Sequence, residues 1–375
     1  MDFSLFYFAD GDSDSKNRYR LLLDGARFAD EHRFAAVWTP ERHFHPFGAP
    51  YANPAVTGAA VAAVTEHVGV RAGSVVGPLH HPARITEEWS MVDSLSGGRA
   101  GIAIASGWSP ADFVLRPGAY ENRARHVLET VEAVRGLWRG DAVCEIDGRG
   151  KAVTVTTYPR PVQPELPMWL TSAGNVETFR AAGRLGVGVL THLLGQDIDR
   201  LRELIQEYRT AFRAHGRSGQ GHVALMLHTF LGTDLDQVRE TVRAPFSAYL
   251  RSNLNLVTKS VAGGKRFDPR TASAADVDFL IGRSFERYFR TAGLFGSVAD
   301  VLPLVEDLRR IGVDEVASLI DFGVGHDVVL ASLPYLVQLR DLIRSRSQDN
   351  QPSSSSPATA GSGVRPTAPD LPAVN

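Results

Sequence analysis

Histidine side chains gather in two short stretches of this sequence, 41–45 (ERHFH) and 80–81 (HH), and His192 stands alone. Imidazole can serve as a general base near neutral pH, bind a metal, or contact a cofactor. Neither stretch has the i, i+4 histidine spacing of a helical zinc site, and no carboxylate is obviously placed as a third ligand. We therefore expect no metal, and predict a base, a cofactor contact or a structural hydrogen bond at these positions.

A second group of residues has the composition of a phosphate site. The segment Ser172-Ala173-Gly174-Asn175, followed by Thr178, lies where a predicted strand gives way to a predicted helix. Free backbone N–H groups at a helix start, a glycine and two hydroxyls can hold a phosphate, although an ordinary helix cap would use the same residues. The sequence has no G-x-G-x-x-G segment opening a helix and no Walker loop, which disfavours a dinucleotide or a triphosphate.

The stretch 97–108 (GGRAGIAIASGW) shows how such residues are positioned. Its uncharged centre alternates small residues with isoleucine, which is typical of a parallel strand buried on both faces. The strand gives way to Ser106, Gly107 and Trp108, and a long loop follows. We expect the chemistry at that end of the strand.

The same order of strand, loop and helix recurs along the chain, with helix periodicity in the intervening segments. Loops after the second, fourth and seventh strands are long, whereas most turns from helix to strand are short. This asymmetry predicts an α/β fold, a (β/α)8 TIM barrel with its functional residues on one rim. The eight predicted strands are 2–9, 35–38, 68–76, 100–105, 168–171, 186–191, 223–231 and 316–322.

Two segments interrupt the predicted repeat. Residues 140–165 hold a β-branched run and three prolines, which predicts a hairpin inserted after the fourth helix. Residues 245–295 show no clear strand and predict a helical lid inserted before strand eight. The pattern assigns 1–348 to one domain and 349–375, rich in Ser, Pro and Ala, to a disordered tail.

Composition narrows the functional classes. The 375 residues are 43% hydrophobic, and 40 basic residues against 42 acidic ones give a net charge of −2, which favours neither nucleic acid nor an anionic membrane as a partner. The lone Cys144 excludes an intrachain disulfide framework and a cysteine-held metal. No basic leader precedes the first strand, and no stretch reaches the roughly 18–20 apolar residues of a membrane helix. We expect a cytoplasmic enzyme acting on a small molecule.

Taken together, the motifs resemble the bacterial luciferase-like flavin monooxygenases, and more narrowly the subgroup associated with nonribosomal peptide and polyketide assembly lines. The resemblance spans about residues 2–345, and six motifs in order at barrel spacing make it fairly specific. They are Trp38 to Phe44 (WTPERHF), Asn53-Pro54, Gly73-Ser74 with Pro78 to Pro82, Asp93 to Arg99, Ser106 to Trp108 with Asp112-Phe113, and Thr171 to Asn175 with Thr178.

The resemblance implies a barrel that uses reduced FMN, delivered by a separate flavin reductase, to activate O₂ for hydroxylation or oxidative cleavage. The substrate would be a small molecule, free or tethered to a carrier protein, and the relatives are usually dimers, so a homodimer is expected. The family's phosphate contacts carry over to Ser172, Ala173, Gly174, Asn175 and Thr178. The positions facing the flavin carry over to Trp38, Gly73, Ser74, Ser106, Gly107, Trp108, Thr191 and His192.

Two departures from the family pattern concern the catalytic residues. The luciferases proper have a Glu-His-His run after strand two with a base at the first histidine; here Arg42 takes that place and only His43 matches. They also have an arginine near the flavin phosphate where this chain has Ser106. We predict that His43 or Arg42 acts on the reactive oxygen species or the substrate proton.

Two alternatives to this function stay open at the level of sequence. One is an oxidoreductase on the same barrel that uses a reduced deazaflavin for hydride transfer without oxygen. The other is a catalytically silent subunit that binds flavin or serves as a scaffold, to which the Arg42 departure gives some weight.

Overall fold

Eight parallel strands close into a barrel in the computed structural model, which describes residues 1–8, 18–45, 50–252 and 273–349. The ring runs β1-β2-β3-β4-β7-β8-β9-β11, with β11 paired to β1 and β9 paired to both β8 and β11. The predicted eight-stranded α/β barrel is confirmed. Its strands are β1 Asp2–Phe6, β2 Ala36–Thr39, β3 Gly69–Val76, β4 Ala100–Ala105, β7 Met168–Thr171, β8 Gly188–His192, β9 Val223–Leu231 and β11 Glu315–Leu319.

Helices cover the outside of the ring because each carries an apolar stripe. On α1, for example, Leu21, Leu22 and Ala26 are buried against the strands. Among the described helices, none combines the length and apolar character needed to span a bilayer. The helices are α1 Arg20–Glu31, α2 Pro54–Ala62, α3 Pro82–Ser96, α4 Arg123–Arg139, α5 Val176–Leu185, α6 Ile198–Ala214, α7 Leu235–Ser252, α8 Ala274–Arg287, α9 Val298–Ile311 and α10 His326–Asp349.

The segments between barrel units contain further strands. Between α4 and β7, β5 (Val143–Ile146) and β6 (Ala152–Val155) form an antiparallel pair that is largely exposed. Between β9 and α9 lie α7, α8 and a short strand, β10 (Leu294–Gly296). This strand pairs with the carboxyl-terminal end of β9. The sequence did not predict β10 because only three residues form it. Part of the predicted lid, 253–272, and the predicted tail from 350 onward lie outside the described residues.

The last barrel strand ends three residues earlier than the sequence predicted. The run 316–322 is apolar almost throughout, but β11 pairs only from Glu315 to Leu319. Phe322 instead packs its ring against His228 and Phe246, with centroids 5.8 and 5.6 Å away. Apolar character alone cannot separate a strand residue from one buried just beyond the strand.

A buried carboxylate fills the amino-terminal end of the barrel interior. Glu315 accepts hydrogen bonds from Ser4 Oγ at 2.6 Å, from Trp38 Nε1 at 2.8 Å and from Arg71 Nη1 at 2.6 Å. The Arg71 guanidinium lies 4.9 Å from the Trp38 ring and 4.8 Å from the Trp169 ring. Burial opposes the charge of Glu315, but Arg71 and its other partners hold the pKa of this carboxyl below its usual range.

We predict that Glu315→Ala lowers the free energy of unfolding by about 3–5 kcal/mol, because it leaves the Arg71 charge buried without its partner. Urea unfolding monitored by circular dichroism measures this change. The control is Glu129→Ala, which removes an exposed helical ion pair with Arg125 and should cost about 0.5 kcal/mol or less. Equal effects of the two substitutions would contradict a structural role for the buried carboxylate.

Candidate functional site

A cavity opens at the carboxyl-terminal end of the barrel strands, where parallel barrels place their functional loops. Its wall includes Phe6, Glu41, Met226 and, from α7, Tyr249. The structure brings eight of the predicted site residues together there: Gly73, Ser74, Ser106, Gly107, Trp108, Ala173, Thr191 and His192. These residues come from β3, β4, β7 and β8 or the loops that follow them, so one half of the rim carries most of the predicted site.

Small residues keep the centre of this cavity open. A Cβ atom on Gly73 would lie 2.5 Å from Phe6 Cε2, which excludes any larger residue without a shift of the Phe6 ring. The adjacent Ser74 hydroxyl is hydrogen-bonded to Thr171 Oγ1 on β7. Two strands that flank β4 are therefore joined by hydroxyls at the floor of the cavity, where a ligand can exchange hydrogen bonds with them.

The predicted phosphate segment 172–175 forms the turn that leads into α5, with Asn175 as the N-cap. Asn175 caps the helix by accepting a hydrogen bond from Glu177 N at 2.8 Å, and Ser172 Oγ accepts from Asn175 N at 3.1 Å. Thr178 is the third residue of α5, and its backbone N–H donates a hydrogen bond to the Asn175 carbonyl. Both the predicted helix cap and the convergence of small polar groups are present, so capping and anion binding are compatible here.

Gly174 and Gln196 shape the space beside this turn. Gly174 has φ +97°, and a Cβ atom there would lie 3.0 Å from Gln196 Oε1. Gln196 Nε2 donates to Thr191 Oγ1 at 3.0 Å and to the His192 carbonyl at 2.6 Å. Within the described residues, the buried Oε1 atom of Gln196 has no hydrogen-bond partner. An unsatisfied buried acceptor beside an open glycine marks a place where a hydrogen-bonding ligand fits.

Glu41 joins two of the predicted histidines. Its Oε1 atom lies 2.8 Å from His43 Nε2 and 2.6 Å from His80 Nε2, while Oε2 accepts a hydrogen bond from Val76 N at 2.6 Å. Burial disfavours the charged form, but the hydrogen bonds from both histidines keep the pKa of Glu41 below its usual value. Burial also works against the charge on His80, yet Glu41 outweighs it and raises the pKa of His80. The carboxylate is thus ionised at neutral pH.

Arg42, the other predicted catalytic residue, has its charge neutralised inside the protein. Its guanidinium pairs with Asp112, and both side chains are only 4% exposed. The guanidinium also lies 4.7 Å from the ring of Trp108, which is half-exposed at the rim. Asp112 and Trp108 line the cavity, whereas Arg42 lies behind them. Arg42 therefore links the loops after β2 and β4.

Trp38 does not take the position predicted for a flavin contact. Its side chain is fully buried in the barrel interior, and its indole N–H points to Glu315 and Ser4. A Cβ atom on Gly73 would lie 3.2 Å from Trp38 Cε3, so the ring supports the cavity floor from below. Its role in the structure is packing around Arg71.

Comparison with known proteins agrees with this architecture. A family model described as luciferase-like monooxygenase matches residues 1–315. The chain belongs to this family.

Relatives of this luciferase-like monooxygenase match over most of its length. The oxygenase component of the flavin-dependent trigonelline monooxygenase of Acinetobacter baylyi is 24% identical over 90% of this chain and 94% of that protein. Among solved structures, monooxygenase RslO1 from Streptomyces bottropensis has a TM-score of 0.73 at 22% identity, covering 92% of this chain and all of that one. The oxygenating constituent of 3,6-diketocamphane monooxygenase from Pseudomonas putida, in complex with FMN, has a TM-score of 0.69 at 16% identity, covering 92% and 96%.

The sequence did not assign three side chains at the mouth of this luciferase-like monooxygenase as catalytic or cofactor-binding residues, although His80 belongs to a histidine stretch that it singled out. Glu41 and Asp112 line the cavity, and His80 contacts Glu41. All three belong to the quoted motifs, but only the pairing of loops in space reveals their partners. The only local sign of the contact between Glu41 and His43 in the sequence is that the glutamate stands two residues before the histidine, just after a strand. Across the described residues, no group of three or more His, Cys, Asp or Glu side chains is arranged to hold a metal ion.

Two histidines on the other side of the mouth are uncharged at neutral pH. Burial lowers the pKa of His192 to about 4 and that of His228 to about 3. The His228 ring is enclosed by aromatic rings, with the centroids of Phe246 at 4.8 Å and Tyr249 at 4.7 Å. His228 Nε2 has no hydrogen-bond partner within the described part of the chain. This half of the mouth is apolar in character.

We predict that the free energy of unfolding falls as the pH drops below 6.5, because the unfolded chain then binds protons that the buried histidines exclude. The free energy of unfolding that is lost between pH 7 and pH 5 should be smaller in His228→Phe by roughly 2 kcal/mol. This figure follows because pH 5 lies about 1.5 units below the pKa of histidine in the unfolded chain, which is near 6.5. Urea titrations at both pH values measure the difference. In the control, the exposed His215→Gln, the loss should match that of the wild type; an unchanged loss in His228→Phe would refute the prediction.

Proposed function

We propose that this luciferase-like monooxygenase is the oxygenase of a two-component system that binds reduced FMN in the cavity at the barrel mouth. The observation that carries the proposal is the combination of an open cavity at the carboxyl ends of the strands with the turn 172–178 beside it. The names of the relatives support the flavin, and the FMN complex of a protein with the same fold supports the phosphorylated form.

The residues beside α5 suit the phosphate of FMN. Backbone N–H groups at the start of α5 carry the positive end of the helix dipole, and Ser172, Asn175 and Thr178 add polar side chains. Gly174 leaves room next to the turn that a Cβ atom would fill.

The rest of the mouth suits a flat, partly apolar ring system. Ser74 and Ser106 offer hydroxyls, Gly73 and Gly107 permit close approach, and Trp108 provides an aromatic face at the rim. His192, neutral at physiological pH, can accept or donate a hydrogen bond without adding charge. When bound, the reduced flavin supplies the electrons and the reaction with O₂, and the protein supplies binding, orientation and shielding from water.

Helices α7 and α8 are proposed to act as the lid of this site. Tyr249 of α7 reaches the cavity, and Phe246 packs against His228 and Phe285 of α8. Arg287 at the end of α8 donates to the carbonyls of Leu193 and Gln196 in the loop beside the phosphate turn. These contacts support a lid on the side of the mouth beside the phosphate turn, where water would have to be excluded.

The partners follow from the proposed reaction. A separate flavin reductase is supported by the oxygenase component named among the relatives. The substrate is proposed to be a small molecule, free or carrier-bound, in specialised metabolism, as the resemblance of the sequence motifs implies. We also propose a homodimer and a cytoplasmic location, in line with the relatives that the motifs resemble.

The direct test supplies FMN, NADH and a flavin reductase and measures substrate oxidation with and without O₂. We expect product only with O₂ and reduced flavin, with one oxygen atom incorporated from ¹⁸O₂. Product formed without O₂ from a reduced deazaflavin would support the hydride-transferring alternative. Flavin binding without oxidation of any of a panel of candidate substrates would support the silent subunit, and failure to bind either redox state of FMN below millimolar concentration would sink the proposal.

We predict that Gly174→Ala weakens FMN binding at least tenfold, because the new methyl group enters the proposed phosphate space and pushes on Gln196. Fluorescence titration under anaerobic and aerobic conditions measures the dissociation constant. Gly195→Ala is the matched control: its φ of +93° is equally unusual, but nothing lies within 4 Å of its Cβ position. Equal weakening by both substitutions would attribute the effect to backbone strain and would contradict the assigned phosphate site.

A further inference from the structure

At the mouth of the barrel, His43 and His80 share one buried carboxylate, Glu41. Glu41 is 1% exposed in its side chain, whereas His43 is 14% and His80 is 26% exposed. The three residues come from the loops after β2 and β3, so neighbouring strands hold them at fixed separation. Glu41 also lines the cavity that the proposed flavin would enter.

Hydrogen-bond chemistry decides which nitrogen of each ring carries a proton. An ionised carboxylate only accepts hydrogen bonds, so both Nε2 atoms that contact Glu41 Oε1 must carry N–H. A neutral His43 protonated at Nε2 has its lone pair on Nδ1. The ring orientation and the tautomer of His43 are therefore both set by Glu41.

We propose that Glu41 is a positioning residue that makes Nδ1 of His43 the proton acceptor of the reaction, and that His80 regulates it by sharing the same carboxylate oxygen. This inference rests on the proposed function. A proton leaves an O–H or N–H group of the bound reactant for His43 Nδ1, and the imidazolium that results pairs with the negative charge of Glu41. The reactant keeps the electron pair, and the proton later passes to solvent from the partly exposed ring.

His80 makes this arrangement sensitive to pH. A charged His80 neutralises Glu41 and so reduces its support for a second positive charge on His43. Among the described residues, the charged groups near this cluster are Glu88 and Arg84 on α3, which have opposite effects on His80, and Arg116, which donates to the His80 carbonyl at 3.2 Å. The Arg42–Asp112 pair adds two charges that cancel. Loss of the His80 proton leaves the full carboxylate charge to His43, so the rate should rise with pH through the titration of His80.

The first experiment needs no flavin. Long-range ¹H–¹⁵N spectra of the full chain with ¹⁵N-labelled histidine, assigned with His43→Gln, should show His43 as the Nε2–H tautomer in the wild type. Glu41→Gln should give a mixture of tautomers, because an amide can donate as well as accept. The His67→Gln control replaces an exposed histidine outside the site and should leave the spectrum of His43 unchanged. An Nδ1–H tautomer in the wild type would overturn the inference.

The second experiment uses the reconstituted oxygenase and separates positioning from folding. Glu41→Gln should lower kcat about 10²-fold or more, and the double variant with His43→Gln should be no slower than His43→Gln alone. His80→Gln keeps a neutral donor to Glu41 and should remove the part of the rise of kcat with pH that comes from His80. Additive losses in the double variant, or a pH profile unchanged in His80→Gln, would overturn the relay. A wild type without O₂-dependent activity would refute the proposed function, while the tautomer measurement would still stand.

Discussion

The Glu315 carboxylate, buried at the amino-terminal end of the barrel, is the interaction on which the rest of the structure depends. Ser4 of β1, Trp38 of β2, Arg71 of β3 and Glu315 of β11 meet there, so one charge joins four strands around the point where the ring closes. A buried charge is tolerated only when its partners are held in good geometry. The closure of the barrel and the satisfaction of this carboxylate therefore require each other.

Ring closure fixes the mouth at the opposite end. Because all eight strands run the same way, the loops after β2, β3 and β4 lie side by side, which brings Glu41 to His80 and Arg42 to Asp112. Those pairs keep the charges on one half of the rim. On the other half, desolvation keeps His192 and His228 neutral, and aromatic rings surround His228. The mouth therefore has a charged side, at the loops after β2, β3 and β4, and an uncharged side near His192 and His228.

Sequence reasoning reached the features that depend on local pattern. Strand β4 and the helix cap at Asn175 follow from short runs of residue types, and both are where the sequence placed them. It failed where partners come from distant loops. Trp38 sits at the end of β2, yet the buried Glu315, almost 280 residues away, draws its indole into the interior. Likewise, no local signal shows that Asp112 will neutralise Arg42, or that Glu41 will contact His80.

The Arg42 departure from the luciferase pattern acquires a physical explanation from these pairings. An arginine side chain has hydrogen-bond donors and no acceptor, so Arg42 is unsuited to the role of a base. Here the Arg42 guanidinium pairs with Asp112 and lies over the ring of Trp108, and these contacts hold the loops after β2 and β4 together at the rim. The next residue, His43, contacts the carboxylate of Glu41, which lies two residues earlier in the chain. Arg42 and His43 are therefore consecutive residues with different structural partners: the first joins two loops through Asp112, and the second contacts the buried Glu41 carboxylate.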